Sequence, residues 1–406
     1  MPSAVVQADP NAAARRNALV LAGAQALCGA AAPIVISQGG FAGEALLGAD
    51  ASLATAPVTG YNLGVWLGAI PAAMLMARVG RRGGFVAGAM VGIAGCLLAA
   101  VAMVGGAFWF FVAALVLVGL GGSFTQQYRF AAADEGTDAF KPRAISWVLA
   151  GGLLAAVVGP QTAIHTGDLL APVPFAGAFV GGAVVLALGA VVLSLLRFER
   201  PPPQAAVGAG GGRPLAAIAR QPRFVVSVLC AVGSYALMSF VMTGAPLAML
   251  GHGHSVADST LGIQWHVMAM FGPSFFTGSL IARFGKEAIV GCGMALLMIC
   301  AAVFLAGVDL AHFWIGLVVL GVGWNFGFIG ATAMLTDTYR PEERARAQGL
   351  NDFLVFGSVA LASLLSGVTL NTLGWDWLNW VVFPVCLLCL LSLAWLVAAE
   401  RGVRAR

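Results

Sequence analysis

The sequence predicts an all-α membrane protein with twelve transmembrane helices in two six-helix repeats. Three observations predict it. First, the 406 residues are 60% apolar and only 9% charged, with a mean hydropathy of +0.92. A soluble domain carries about 25% charge, because its surface must be wetted. Second, the apolar residues fall into twelve runs, each close to the ~20 residues that a bilayer crossing needs. Third, the lysines and arginines are confined to alternate connections. Twelve crossings take about 240 residues, which leaves no room for a sizeable soluble catalytic domain or a nucleic-acid-binding tail. The net charge of +4 requires no polyanionic partner.

In chain order, runs bounded by charge or turn residues lie near 17–38, 54–77, 85–104, 107–130, 144–164 and 174–197. The second set lies near 223–250, 259–281, 288–307, 310–335, 348–371 and 378–398. Arg15 and Arg16 precede the first run, Arg78, Arg81 and Arg82 follow the second, and Lys141 and Arg143 follow the fourth. Arg197, Arg200, Arg213, Arg220 and Arg223 fill the central connection. Arg283 and Lys286 follow the eighth run, Arg340, Arg344 and Arg346 the tenth, and Arg401, Arg404 and Arg406 the last. By the positive-inside rule both termini are expected in the cytoplasm. The first 15 residues lack the basic start and short apolar core of a signal peptide.

The organisation expected is an N-terminal six-helix bundle over 1–198, a cytoplasmic linker over 199–222 and a C-terminal six-helix bundle over 223–406. Pro201-Pro202-Pro203 and the Gly208–Gly212 stretch suit a flexible linker. The halves repeat. Ala77-Arg78-Val79-Gly80-Arg81 recurs as Ala282-Arg283-Phe284-Gly285-Lys286, and Asp134 with Arg143-Ala144 recurs as Asp337 with Arg346-Ala347, at offsets of 203–205 residues. Parallel repeats joined by a linker are the plan of secondary transporters that rock around a midplane site.

On these residues the chain resembles the major facilitator superfamily. Leu75-Met76-Ala77-Arg78-Val79-Gly80-Arg81-Arg82 is similar to the superfamily signature between helices two and three, with Ala77 where aspartate is usual. Gly159-Pro160 resembles its glycine-proline motif in helix five. The resemblance implies the twelve-helix fold, transport by alternating access without enzymatic chemistry, and function as a monomer.

Only Asp352 and Arg129 enter spans among the ionisable acids and bases, both near the basic ends. An ion deep in lipid costs a few kcal/mol or more, so a proton-coupled sugar or drug porter is disfavoured. There is no GxxxxGK[ST], so ATP hydrolysis lacks support. Soft side chains are more informative. Met238 and Met242 form an MxxxM in the seventh span, and His266 and Met270 an HxxxM in the eighth. Four residues apart, each pair shares a helix face. Counting inward from the loop near Gly251–Asp258 at ~1.5 Å per residue, Met242 lies about 12 Å deep, His266 about 10 Å, Met238 about 18 Å and Met270 about 16 Å. The pairs come level. Thioether and imidazole together prefer a soft monovalent ion, Cu(I). A second MxxxM, Met294 and Met298, reads as lipid-facing filler. The offset of about 205 places Pro33, Ser37, Tyr61 and Val65 at the matching first-half positions.

With Gln264-Trp265-His266 and Phe271-Gly272-Pro273-Ser274-Phe275-Phe276 in the eighth span, the chain is similar to CcoA-type copper importers. That resemblance implies a transporter of the bacterial inner membrane with copper as cargo, held by Met238, Met242, His266 and Met270, and a cytoplasmic copper acceptor that feeds cytochrome oxidase assembly. The same branch includes riboflavin importers. A flavin or related aromatic cargo would stack on Trp265, Trp324 and Phe326 and bond to Gln126, Gln127, Asn325 or Gln161. A receptor or assembly factor is a third, remote reading. Cys230 packs or receives copper; Cys386 and Cys389 read as filler without neighbouring ligands. His252, His254, Asp258, His165, Asp168, Asp309 and His312 read as solvated loop residues or collectors of metal at the mouth.

Overall fold

The computed structural model describes residues 11–48, 51–133, 136–137, 140–198 and 212–404. No strand occurs among the described residues; the helices are α1 (Ala12–Cys28), α2 (Ala31–Leu47), α3 (Ala56–Val104), α4 (Phe108–Thr125), α5 (Tyr128–Ala133), α6 (Lys141–Thr166), α7 (Ala176–Ser194) and α8 (Leu215–Ala219). They continue as α9 (Pro222–Gly251), α10 (Val256–Phe271), α11 (Ser274–Phe284), α12 (Lys286–Ala306), α13 (Leu310–Leu335), α14 (Arg344–Leu373), α15 (Trp375–Trp380) and α16 (Val382–Arg404). Helix is the dictated choice, because lipid offers backbone groups no partner outside their own segment. Asp134, Pro201-Pro202-Pro203 and Gly208–Gly211 lie outside the described residues.

Ten stretches among the described residues are long and apolar enough to cross a membrane, or eleven when α10 and α11, bent by 43°, count as one. The stretch Ala51–Val104 has 54 residues; straight, it would be roughly 80 Å long at 1.5 Å per residue, against a hydrocarbon core of about 30 Å. It reverses at Gly80 (φ 80°, ψ 165°), so it supplies two of the twelve expected spans. Gly285, its partner in the sequence repeat, has φ 89° and ψ 156° between α11 and α12. That region of backbone space is essentially reserved for glycine, which explains why glycine recurs in both copies of the motif.

Two large hydrophobic cores form, with a small third one around Ile218, Phe224, Val228, Leu335 and Ala347. One draws on residues 14–196, the other on 226–396 with Ala156. Met294 is fully buried in the second core and Met298 packs against it, because α12 packs on α13; the pair does not face lipid as expected. Cys386 and Cys389 are both buried, and the Cys389 thiol donates to the Leu229 carbonyl of α9 (3.8 Å). At the basic end, Arg223 pairs with Glu400 (2.8 Å), Asp337 (3.1 Å) and Glu287, and Lys286 pairs with Asp337 (2.6 Å). The chain entering α9 is docked there too. Arg213 bonds the buried Glu343 carboxylate (2.7 Å), and the Gln221 amide donates to the Thr338 carbonyl (2.9 Å).

Candidate functional site

The halves of the chain meet tightly at the end opposite the basic residues. On α14, Ser363 donates to the Thr59 hydroxyl (3.0 Å) and the Asn371 amide donates to the Ala51 carbonyl (3.0 Å). Midway between them, Gly367 abuts Thr55. Positions 363, 367 and 371 thus face 59, 55 and 51, a zipper with a four-residue step that lies along one helix face. Gln38 donates to Thr260 (3.1 Å) and Gln161 to Gln264 (2.9 Å), both from the first half to α10. These contacts seal that end.

Beneath the seal lies a cavity of about 170 Å³ between the halves. From the second half, α9 contributes Tyr235, Met238, Ser239 and Met242, α10 contributes Val267, Met270 and Phe271, and α14 contributes Phe356 and Val359. These are i, i+3, i+4 and i+7 stripes, the single face that a helix presents to one neighbour. The first half contributes Gln25 from α1, Tyr61, Asn62 and Val65 from α3, Gln126 at the end of α4 and Arg129 from α5. Met238, Met242, Met270 and Tyr61 are buried, whereas Gln126 and Arg129 are exposed, so the cavity reaches solvent on the basic side. Tyr235 anchors an aromatic cluster in the wall, with ring centroids 5.2 Å from Trp324, 5.0 Å from Phe328 and 5.8 Å from Phe356.

Three of the four residues expected as a ligand set share this cavity; His266 does not line it. The ring of His266 is 0% exposed and its Nδ1 lies 2.8 Å from the Leu317 carbonyl of α13. A carbonyl only accepts, so Nδ1 carries the proton, and the imidazole is turned into the α10–α13 contact. Among the expected aromatic and amide groups, Gln126 alone faces the cavity. Trp265 is 43% exposed on the outside of the bundle, and Trp324 packs behind Tyr235 and Phe271. Asn325 braces α11 and α13, accepting from Thr277 and donating to the Met270 carbonyl, and Gln161 belongs to the seal. The loop histidines are engaged locally: His252 with the Ala248 carbonyl, His254 with the Val308 carbonyl, and His312 near Asp309. Of the four positions that the repeat offset matches, Pro33, Tyr61 and Val65 line the cavity, whereas Ser37 is buried and donates to the Ile34 carbonyl. Gln25, Asn62 and Arg129 were not anticipated as site residues; Asn62 directly follows Tyr61, so the same offset pointed to its turn of helix.

The profile of the Major Facilitator Superfamily matches residues 17–326 and 268–406. The chain belongs to the major facilitator superfamily. Solved structures of the superfamily's fold are similar along nearly the whole chain: the nucleoside transporter NupG (TM-score 0.70, 12% identity, 93% of this chain and 98% of that one) and the peptide transporter PepTSo (TM-score 0.69, 13% identity, 97% and 99%). Among sequences, the chain is 51% identical to the riboflavin transporter RfnT of Brucella anthropi, over 94% of this chain and 96% of the relative. It is also 31% identical to the MFS-type transporter YdeG of Bacillus subtilis, over 87% and 85%. The similarity to a riboflavin transporter overturns the expectation of copper import, and with it copper as cargo and a cytoplasmic copper acceptor as partner. The side chains give a physical reason. Methionines at helical spacing on a cavity wall are soft, polarisable packing surface for an organic ring, and the imidazole lies between α10 and α13 instead of on the cavity wall.

Proposed function

We propose that this superfamily member imports riboflavin across the bacterial inner membrane by alternating access, with both termini cytoplasmic and no catalytic step. One observation carries the reading: the 51% identity to a riboflavin transporter, extending over 94% of the chain. The cavity chemistry supports it. A flavin is a flat, largely apolar ring system bearing a polyhydroxylated chain, and the wall combines thioethers and aromatic rings with amides. Sulfur over an aromatic face is favourable by about 0.3–1.5 kcal/mol per contact.

The halves, 1–198 and 223–406, rock about the site while the 199–222 linker keeps them together. The described conformer is sealed on the side that faces the periplasm and open at Gln126 and Arg129 toward the cytoplasm. At about 170 Å³ the cavity is smaller than the ~300–1,000 Å³ pockets that enclose drug-sized ligands, so a flavin has to spread its walls. A shift between states needs interactions that differ between them, and the α14 zipper is present in only one. Expression of this chain in a riboflavin auxotroph tests the reading: growth on micromolar riboflavin is expected, and growth no better than with empty vector would reject it.

A further inference from the structure

The two walls of the cavity differ in kind. Gln25, Asn62 and Gln126, all from the first half, line it without a side-chain hydrogen bond to the protein among the described residues. The facing wall is thioether and aromatic, and its one small hydroxyl, Ser239, already donates to the Val359 carbonyl (3.3 Å). A carboxamide offers both donors and acceptors, as does each hydroxyl of a polyol chain. The amides are also spread along the bundle axis. Gly119 of α4 packs against the Tyr61 carbonyl of α3, which sets Asn62 level with that turn. Gln126 lies seven residues further along, about 10 Å at 1.5 Å per residue. Arg129, exposed at the mouth, continues the line by one more turn. Spread over that length, the amides meet successive polar groups of a cargo rather than a single one.

We propose that the first-half wall reads the polyol chain of the cargo through Asn62, Gln25 and Gln126, with Arg129 at its open end, while Met238, Met242, Met270 and Phe271 pack the ring. The inference rests on the riboflavin reading and names the specificity-determining residues of that same site. Because ring and chain engage opposite halves, a cargo with both draws the halves together, and a bare ring engages only one of them.

The test is equilibrium binding to the purified full chain, read by quenching of flavin fluorescence, with riboflavin and with lumiflavin, which has the ring but a methyl group in place of the polyol. Wild type is expected to bind riboflavin at least tenfold more tightly. Asn62→Leu and Gln126→Leu are each expected to raise the riboflavin dissociation constant about three- to tenfold, the worth of one net hydrogen bond, and to leave lumiflavin within twofold. Gln126→Asn, which keeps the amide, should recover part of the loss. Equal weakening of both flavins, or of neither, overturns the proposal. Binding without uptake in cells would reject the import reading and leave the wall assignment standing. Absence of binding by either flavin would end both.

Discussion

A larger side chain at Gly367 is expected to pry open the sealed end. The residue sits at the middle of the α14 zipper, between the Ser363–Thr59 and Asn371–Ala51 hydrogen bonds. A Cβ at this position would meet Thr55 Cγ2 at 2.8 Å and Cβ at 3.0 Å, with the Oγ1 closer still. Thr55 is 0% exposed and has nowhere to retreat while the halves stay together. Overpacking of this kind costs typically 1–3 kcal/mol, and the cost falls only on the sealed state, since separating the halves removes the clash. A differential of 1–3 kcal/mol moves a two-state equilibrium by about 5–150-fold. Gly367→Ala should therefore give a moderate shift and Gly367→Val a larger one, with uptake slowed because the cycle must pass through the sealed state. The assay is the rate at which a membrane-impermeant maleimide, added on the seal side, labels Ser239→Cys in a chain whose native cysteines are replaced. A graded rise from glycine to alanine to valine is expected. An unchanged labelling rate in a folded, membrane-inserted Gly367→Val protein would refute the claim that this zipper is the gate.

Other consequences follow from the same contacts. His266→Ala removes the bond to the Leu317 carbonyl and leaves a cavity where a fully buried ring stood, a loss of about 1–3 kcal/mol that should appear as a lower melting temperature in detergent with the riboflavin KM changed less than twofold. Gly80→Ala and Gly285→Ala force a side chain into glycine-only backbone space at about 1–3 kcal/mol each, and thermal unfolding should report both losses, adding in the double variant because the sites are in different halves. The Arg213 guanidinium, with the Arg340 backbone N–H, holds the Glu343 carboxyl well below the usual carboxylate range. A depressed folded-state value means the docking of residues 212–222 is fully present above the free-carboxylate pKa of ~4.3 and fades only as pH falls below it. Limited proteolysis near Arg213 should therefore be unchanged from pH 8 to pH 5 and accelerate in stronger acid, while Glu343→Gln should accelerate it at pH 7.

Much of the fold was legible because lipid makes few demands and makes them strictly. Apolar runs of bilayer length and basic residues on alternate connections place the spans, and repetition of the Ala77–Arg81 motif at Ala282–Lys286 anticipates that Gly80 and Gly285 adopt the same backbone. The site was half legible. Spacing correctly put Met238, Met242 and Met270 toward one cavity, and the repeat offset put Pro33, Tyr61 and Val65 opposite them. What spacing cannot give is rotation about the helix axis in fine detail. His266 shares a helix with Met270, yet its ring finds the Leu317 carbonyl on a third helix, an interaction invisible without the α10–α13 contact. The chemistry of the cargo was misread for the same reason. Thioethers serve a soft cation or a flat ring equally well, and the choice depends on the partners across the cavity, where uncommitted amides stand.

The most direct measurement of the central claim is uptake of tritiated riboflavin into proteoliposomes holding the purified chain, alongside Met242→Trp, which fills the cavity beneath the seal. Saturable uptake by the wild type and its loss in the folded variant are predicted. Wild-type vesicles that accumulate no more riboflavin than protein-free ones, or a filled cavity that transports normally, would contradict the account.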